Sequence, residues 1–357
     1  MSATRAYLLL AGDWPCLCSF NSREIYVNQL TSRSFAAPCL AALAFLLVGV
    51  PFASAQPSSP SRINGLGVAG PQRPASVPQG FVITPFGYFH PSCVRSVSDA
   101  DTLLADGRVA HANNTIDRSA PACAFPHYTA SGAVVSANQR APMETKTPAI
   151  NGWLEYVSIV SDSSYSEIDA TWTVPPEPAT SNIGEAVFFF PGFQDTVANL
   201  TIVQPVLQWY QPGPWKMASW NCCIDGMVWH SVPKKVQVGD SLYGSILPQC
   251  KKKSPNCGLW KIATEDLTTG KKSILQKSPD DGQKWNWAFS AVLEAYGIRQ
   301  CSDLPANTNL SFTVKLYDQN HNLIPSPAWV PSYADPGTDP SCNYGVDITP
   351  TQETLWY

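Results

Sequence analysis

Period-two alternation is what most limits the folds open to this chain. Across residues 166–174, Ile168, Ala170, Trp172 and Val174 alternate with Glu167, Asp169, Thr171 and Thr173. Successive side chains of an extended backbone point to opposite faces, so this segment reads as a strand with one buried face, closed by Pro175-Pro176. Similar runs lie at 186–190, 201–209, 235–247, 259–266, 273–275, 285–296 and 310–317, with Thr268-Thr-Gly270 as a hairpin turn between two of them. No amphipathic helical pattern separates them, which leaves an all-β sandwich or barrel.

Composition narrows the setting. Charged residues are 14% of the chain, well below the roughly 25% of an average soluble protein, while proline reaches 32 residues. A formal charge of −4 offers no basic field for phosphate backbones, so nucleic acid is excluded as a partner class, and Lys251, Lys252 and Lys253 are too short a run to alter that. Residues 33–56 carry a positive flank, an apolar run and Ala53-Ser-Ala55, the pattern of a secretory signal and its cleavage site. The run lies far from Met1, so residues 1–55 read as a mis-called start plus signal region. The chain is then expected outside the cell or in its envelope, with no stable membrane association after cleavage.

Cleavage after Ala55 would leave Cys93, Cys123, Cys222, Cys223, Cys250, Cys257, Cys301 and Cys342, an even set that reads as disulfides in an exported protein. No Cys-x-x-Cys spacing occurs, so no metal and no cofactor are expected. Cys250 and Cys257 suit a small loop, and the vicinal Cys222 and Cys223 are expected in two separate bridges. Residues 56–150 divide into a Pro/Ser/Gly-rich linker to about residue 80, then a small ordered piece that reads as a pro-segment or a lid. The sandwich occupies 151–330, and 331–357 is a tail tied by Cys342.

Alternation also sorts polar groups by face. In 201–209, Gln204 and Gln208 share a face with Ile202 and Val206, opposite Val203, Leu207 and Trp209. In 285–296, strict alternation puts Trp285, Trp287, Phe289, Ala291 and Leu293 on one face and Ser290, Val292, Glu294 and Tyr296 on the other. A carboxylate and a carboxamide on moderately polar strand faces suit a concave sheet that binds a polar ligand. His230-Ser231 does not make a nucleophile and base pair, because adjacent strand residues diverge and no Gly-x-Ser-x-Gly turn occurs. His90 and His127 read as structural, Glu185 as a solvated cap, and Tyr165, Trp215, Trp220 and Trp229 as core rather than a sugar-stacking platform.

Five ordered landmarks resemble those of the glutamic peptidases, the eqolisins: Ala170-Thr-Trp-Thr-Val-Pro175, Ile202-Val-Gln204, Val238-Gly-Asp-Ser241, Glu265-Asp-Leu-Thr-Thr-Gly270 and Ala291-Val-Leu-Glu294. The resemblance covers residues 153 to 317. It implies an antiparallel two-sheet β-sandwich of the concanavalin A-like, jelly-roll type, acting on proteins at acid pH without a metal. It makes Glu294 and Gln204 the catalytic pair, with Gln208 as the alternative register and Gln208, Tyr296 and Trp220 as substrate-binding positions. The carboxylate would serve as general base toward water, and the amide would donate to the developing oxyanion. This chain departs from the family at Phe189-Phe-Pro-Gly-Phe193 and at Ser219-Trp-Asn-Cys-Cys223, which stand where the family has Trp-Val-Gly-Ile-Asp-Gly-like and Trp-Tyr-Glu-Trp-like segments.

Two functions follow as expectations. The first is a secreted, monomeric acid endopeptidase-like hydrolase taking protein or peptide substrates, with Gln204 and Glu294 on adjacent strands. The second is a carbohydrate- or wall-binding module without catalysis, which requires a row of exposed Trp and Tyr rings to stack on a polysaccharide.

Overall fold

The alternating segments pair into two large sheets that face each other. The computed structural model describes residues 62–136, 151–197, 201–250 and 258–357. The first sheet has nine strands, eight of them in the order Val330–Tyr333, Gly152–Val160, Trp287–Tyr296, Ala186–Gln194, Ile202–Tyr210, Lys216–Cys222, Val228–Ser231 and Val94–Val97. The second has ten and is built around Gln352–Trp356, Asn309–Tyr317, Glu167–Thr173, Ser241–Pro248, Leu259–Asp266 and Lys272–Pro279. Between them lies a core in which Phe189, Leu207, Trp209 and Leu293 meet Trp172, Ile246, Ile262 and Phe312. The chain is an all-β sandwich.

A third layer covers the outer face of the first sheet. Four short strands, Val82–Thr84, Gly87–Phe89, His127–Tyr128 and Val134–Val135, form their own small sheet. Val82, Ile83, Tyr88 and Phe89 then pack in a second core with Phe188, Phe190, Val206, Tyr210, Trp220 and Tyr296. The same segment also enters the sandwich directly. Val94–Val97 runs parallel to Val228–Ser231 at the end of the first sheet, and Thr102–Leu103 lies parallel beside Lys272–Pro279 in the second.

Two sequence expectations are corrected. Ala291 adopts φ 46°, and the pairing of Trp287–Tyr296 with Gly152–Val160 slips register between Glu155 and Val157. This bulge reverses the alternation, so Trp287 and Phe289 lie on the same face as Val292 and Tyr296 instead of opposite them. Cys222 and Cys223 are bonded to each other rather than bridged separately. Cys93–Cys123 and Cys301–Cys342 are pairs of their own and Cys250 is also bonded, which leaves the two neighbours only one another among the described residues. Cys257 and the signal region lie outside the described residues.

Candidate active site

The covered face of the first sheet gathers the polar side chains singled out in the sequence. Phe188 pairs with Glu294 on one side and with Gln208 on the other, so the three form one row across three strands. Residues directly opposite in antiparallel strands share a face, and two strand spacings separate the Glu294 and Gln208 Cα atoms by about 10 Å. Gln204 shares that face but sits four residues further along, opposite Trp220. The strand of Glu294 is not adjacent to that of the glutamines, because Ala186–Gln194 lies between them. The register therefore brings Glu294 level with Gln208 and not with Gln204.

Each end of the row is held by an aromatic donor. Tyr296 donates its hydroxyl to Glu294 Oε1 at 2.5 Å. Trp220 donates its indole N–H to Gln208 Oε1 at 3.0 Å. With its oxygen held, Gln208 turns its Nε2 elsewhere, and among the described residues that nitrogen has no hydrogen-bond partner; neither amide atom of Gln204 has one there. Buried polar groups left unsatisfied cost about 1–3 kcal/mol each, so native structures retain few of them. His230 lies 4.6 Å from the Trp220 ring, and burial holds its imidazole down at about 4. The Tyr210 phenol is pushed well up by burial, and the nearby Glu294 adds to the effect.

The three polar groups are sealed from solvent: Glu294 is 2% exposed, Gln208 1% and Gln204 0%. The hairpin of Val82–Thr84 and Gly87–Phe89 lies across the row. Tyr88 meets Tyr296 edge-on at 5.3 Å, Phe86 meets Trp220 at 6.1 Å, and the Ile83 carbonyl accepts from Tyr210 Oη at 3.0 Å. Arg62 fastens one end by donating to the carbonyls of Tyr210 and Gly213 at 2.5 and 2.6 Å. Further along, the backbones of Gly70 and Gly184 touch: a Cβ on Gly184 would lie 2.1 Å from the Gly70 nitrogen. His127 stacks on Phe89 at 4.4 Å and His90 on Phe125 at 3.7 Å, both within the cover.

Glu185 is fully buried and not a solvated cap; burial raises its carboxyl to about 8, although it accepts from the Asn182 backbone N–H at 2.8 Å. Tyr165, Trp215, Trp220 and Trp229 are core. Phe188 and Tyr210 belong to the face and were missed, yet Tyr210 stands two residues beyond Gln208, where alternation alone places it on that face. Among the described residues no group of three or more His, Cys, Asp or Glu is placed to hold a metal, and no helix is long and apolar enough to cross a membrane.

No family model and no curated protein matches the chain. Among solved structures, the chain is similar to a scytalido-glutamic peptidase with a peptide-based transition state analog, at 16% identity and a TM-score of 0.43 over 59% of this chain and 100% of that one. It is similar to SCP-B, a member of the eqolisin family of peptidases in a complex with the tripeptide Ala-Ile-His, at 15% identity and a TM-score of 0.43 over 59% and 100%. Aspergilloglutamic peptidase from Aspergillus niger gives 17% identity and a TM-score of 0.35 over 48% and 98%.

Proposed function

We propose that the chain is an exported acid peptidase-like hydrolase held latent by residues 62–136. The carrying observation is the single row in which a carboxylate and a carboxamide flank Phe188 on one face, each held by its own aromatic donor. In this reading Glu294 takes a proton from a water lying above Phe188. The resulting hydroxide attacks the peptide carbonyl, and Gln208 Nε2 donates to the developing oxyanion. Protonated Glu294 then delivers its proton to the leaving amine. Gln208 takes the role that the sequence resemblance gave to Gln204, and Gln204 becomes a substrate-binding amide further along the groove, beside Trp220.

The cover accounts for latency. Both cysteines of 62–136 are bonded to each other, so a backbone cut between residues 136 and 151 would leave this segment held by noncovalent contacts alone. The segment is then a removable pro-segment and 151–357 the working unit. The carbohydrate-binding alternative is less favoured, because Tyr210, Trp220 and Tyr296 beside the row are buried, while Trp153, Tyr156 and Trp287 on the same face are half-buried.

The test is a sequence-specific protease site inserted between Ser136 and Asn151, with hydrolysis of unfolded casein followed across acid pH before and after cutting. Activity should appear only after the cut; Glu294→Gln should abolish it, Gln208→Ala should lower kcat by about 100- to 1,000-fold, and Gln204→Ala should weaken binding. A cut, uncovered and still folded protein without acid proteolysis would refute the reading.

A further inference from the structure

A second recess lies away from the covered face, at the seam where residues 94–103 join the ends of both sheets. It is a cleft of about 450 Å³ whose lining includes Arg95, His111, Arg118, Ser119 and Trp229. Its floor belongs to the sandwich and its walls to the N-terminal segment: Trp229 lies in Val228–Ser231, and Arg95 stands directly opposite it in the parallel pairing.

The charges of this cleft are unevenly partnered. His111 engages carboxylates through both ring nitrogens, Nδ1 with Asp101 Oδ2 at 3.1 Å and Nε2 with Asp117 Oδ1 at 3.0 Å. The bonds to Asp117 and Asp101 raise the imidazole above its ordinary range, and both acids of the wall are already engaged by it. Arg95 and Arg118 make no ion pair and no side-chain hydrogen bond among the described residues. Two guanidinium groups therefore border one recess whose acids are already matched. Trp229, 2% exposed, closes the floor of the recess.

We propose that this cleft binds a small organic carboxylate. Guanidinium presents parallel N–H donors in a planar fork that matches the two oxygens of a carboxylate, which is why Arg95 and Arg118 select that group. The exposed Ser119 hydroxyl serves a further acceptor of the ligand. The volume falls within the range of small-molecule sites, which run from about 300 to 1,000 Å³. A sugar acid and the chain-terminal carboxylate of a short peptide carry the same recognised group. Because the ligand would touch both the N-terminal segment and the sandwich, its binding would stabilise their association by mass action. The proposal does not depend on the hydrolytic reading.

Uncut, full-length protein is titrated by calorimetry at low salt with digalacturonate and with an N-acetyl dipeptide acid, each beside its neutral methyl ester. At least one acid should bind and raise the Tm, its ester should bind about tenfold more weakly, and Arg95→Gln and Arg118→Gln should each cost a similar factor, as expected for a charge-assisted hydrogen bond. Added salt should weaken binding, and whichever acid binds more tightly names the source. Both arginines are exposed, so the variants should keep the wild-type circular dichroism spectrum. No binding by either acid, equal binding of acid and ester, or binding unchanged in both variants would overturn the proposal.

Discussion

Tyr296 donates to Glu294 Oε1 at 2.5 Å from two residues along the same strand and the same buried face. Neighbours at that spacing point the same way, so the phenol fixes where the carboxylate aims. In Tyr296→Phe the carboxylate loses a fixed donor while the ring and its contact with Tyr88 remain. The uncut protein should lose about 1–3 kcal/mol of stability, read from its urea midpoint. In the cut protein kcat should fall by about 10- to 100-fold with KM little changed, since the phenol positions the base and does not hold the substrate. An unchanged kcat would remove Tyr296 from the proposed mechanism.

Trp220 tests the opposite end of the row. Its N–H holds the Gln208 carbonyl, and Trp220→Phe keeps most of the ring while freeing the amide to flip. With Nε2 no longer directed, oxyanion stabilisation should weaken and kcat should drop by about tenfold. The double variant with Gln208→Ala should then be no worse than Gln208→Ala alone, because Trp220 would act only through that amide. Additive losses, measured as kcat/KM in the cut protein, would show that Trp220 has a separate role.

How much of this was legible in the sequence depended on whether strict alternation held. In Ile202–Tyr210 it holds throughout, and the shared face of Gln204 and Gln208 follows from counting by twos. In Trp287–Tyr296 the bulge at Ala291 reverses it, a backbone event that no side chain in the run announces. Lys216–Cys222 escaped notice for another reason: it is covered on both faces, so nearly every position is buried and the polar beat disappears. The level pairing of Glu294 with Gln208 needed the register through Phe188, and register between distant strands is not written locally. The role of residues 81–135 as a cover was open to inference from Cys93 and Cys123, but the face beneath it was not.

Stability should depend on pH in a defined direction. Burial raises Glu155 to about 9, against the pull of the Gly345 N–H, and raises Glu353 to about 8. Both are neutral in the folded protein over a range in which the unfolded chain, ionising near 4.5, has lost its protons, so their contribution is full below about pH 4.5 and is lost as pH rises towards 8 and 9. His127 and His230, lowered by burial to about 4, act in the other sense: their contribution is full above about pH 6.5 and is lost as pH falls towards 4. Urea midpoints should therefore form a plateau between these limits and fall on the alkaline side. Glu353→Gln should flatten the alkaline fall, whereas His127→Gln should flatten only the acid one. An alkaline limb unaltered by Glu353→Gln would contradict the assignment.

The seat of the cover can be tested without cutting the chain. Gly70 and Gly184 meet backbone to backbone, and a Cβ on Gly70 would lie 2.0 Å from the Ile183 carbonyl oxygen. No side-chain rotation can relieve a clash with a carbonyl of the sandwich, so Gly70→Ala must move one backbone off the other. The apolar contacts of the Val82–Phe89 hairpin with Tyr210, Trp220 and Tyr296 then work against a displaced strand. Amide hydrogen exchange should accelerate across residues 62–90 and on the covered faces of Ile202–Tyr210 and Trp287–Tyr296, while Asn309–Tyr317 in the opposite sheet keeps its protection. If latency comes from this cover, the uncut Gly70→Ala protein should also show acid proteolysis that Glu294→Gln removes. Faster exchange without activity would mean that a loosened cover still excludes the substrate, whereas unchanged exchange would mean that the Gly70 contact does not hold the cover in place.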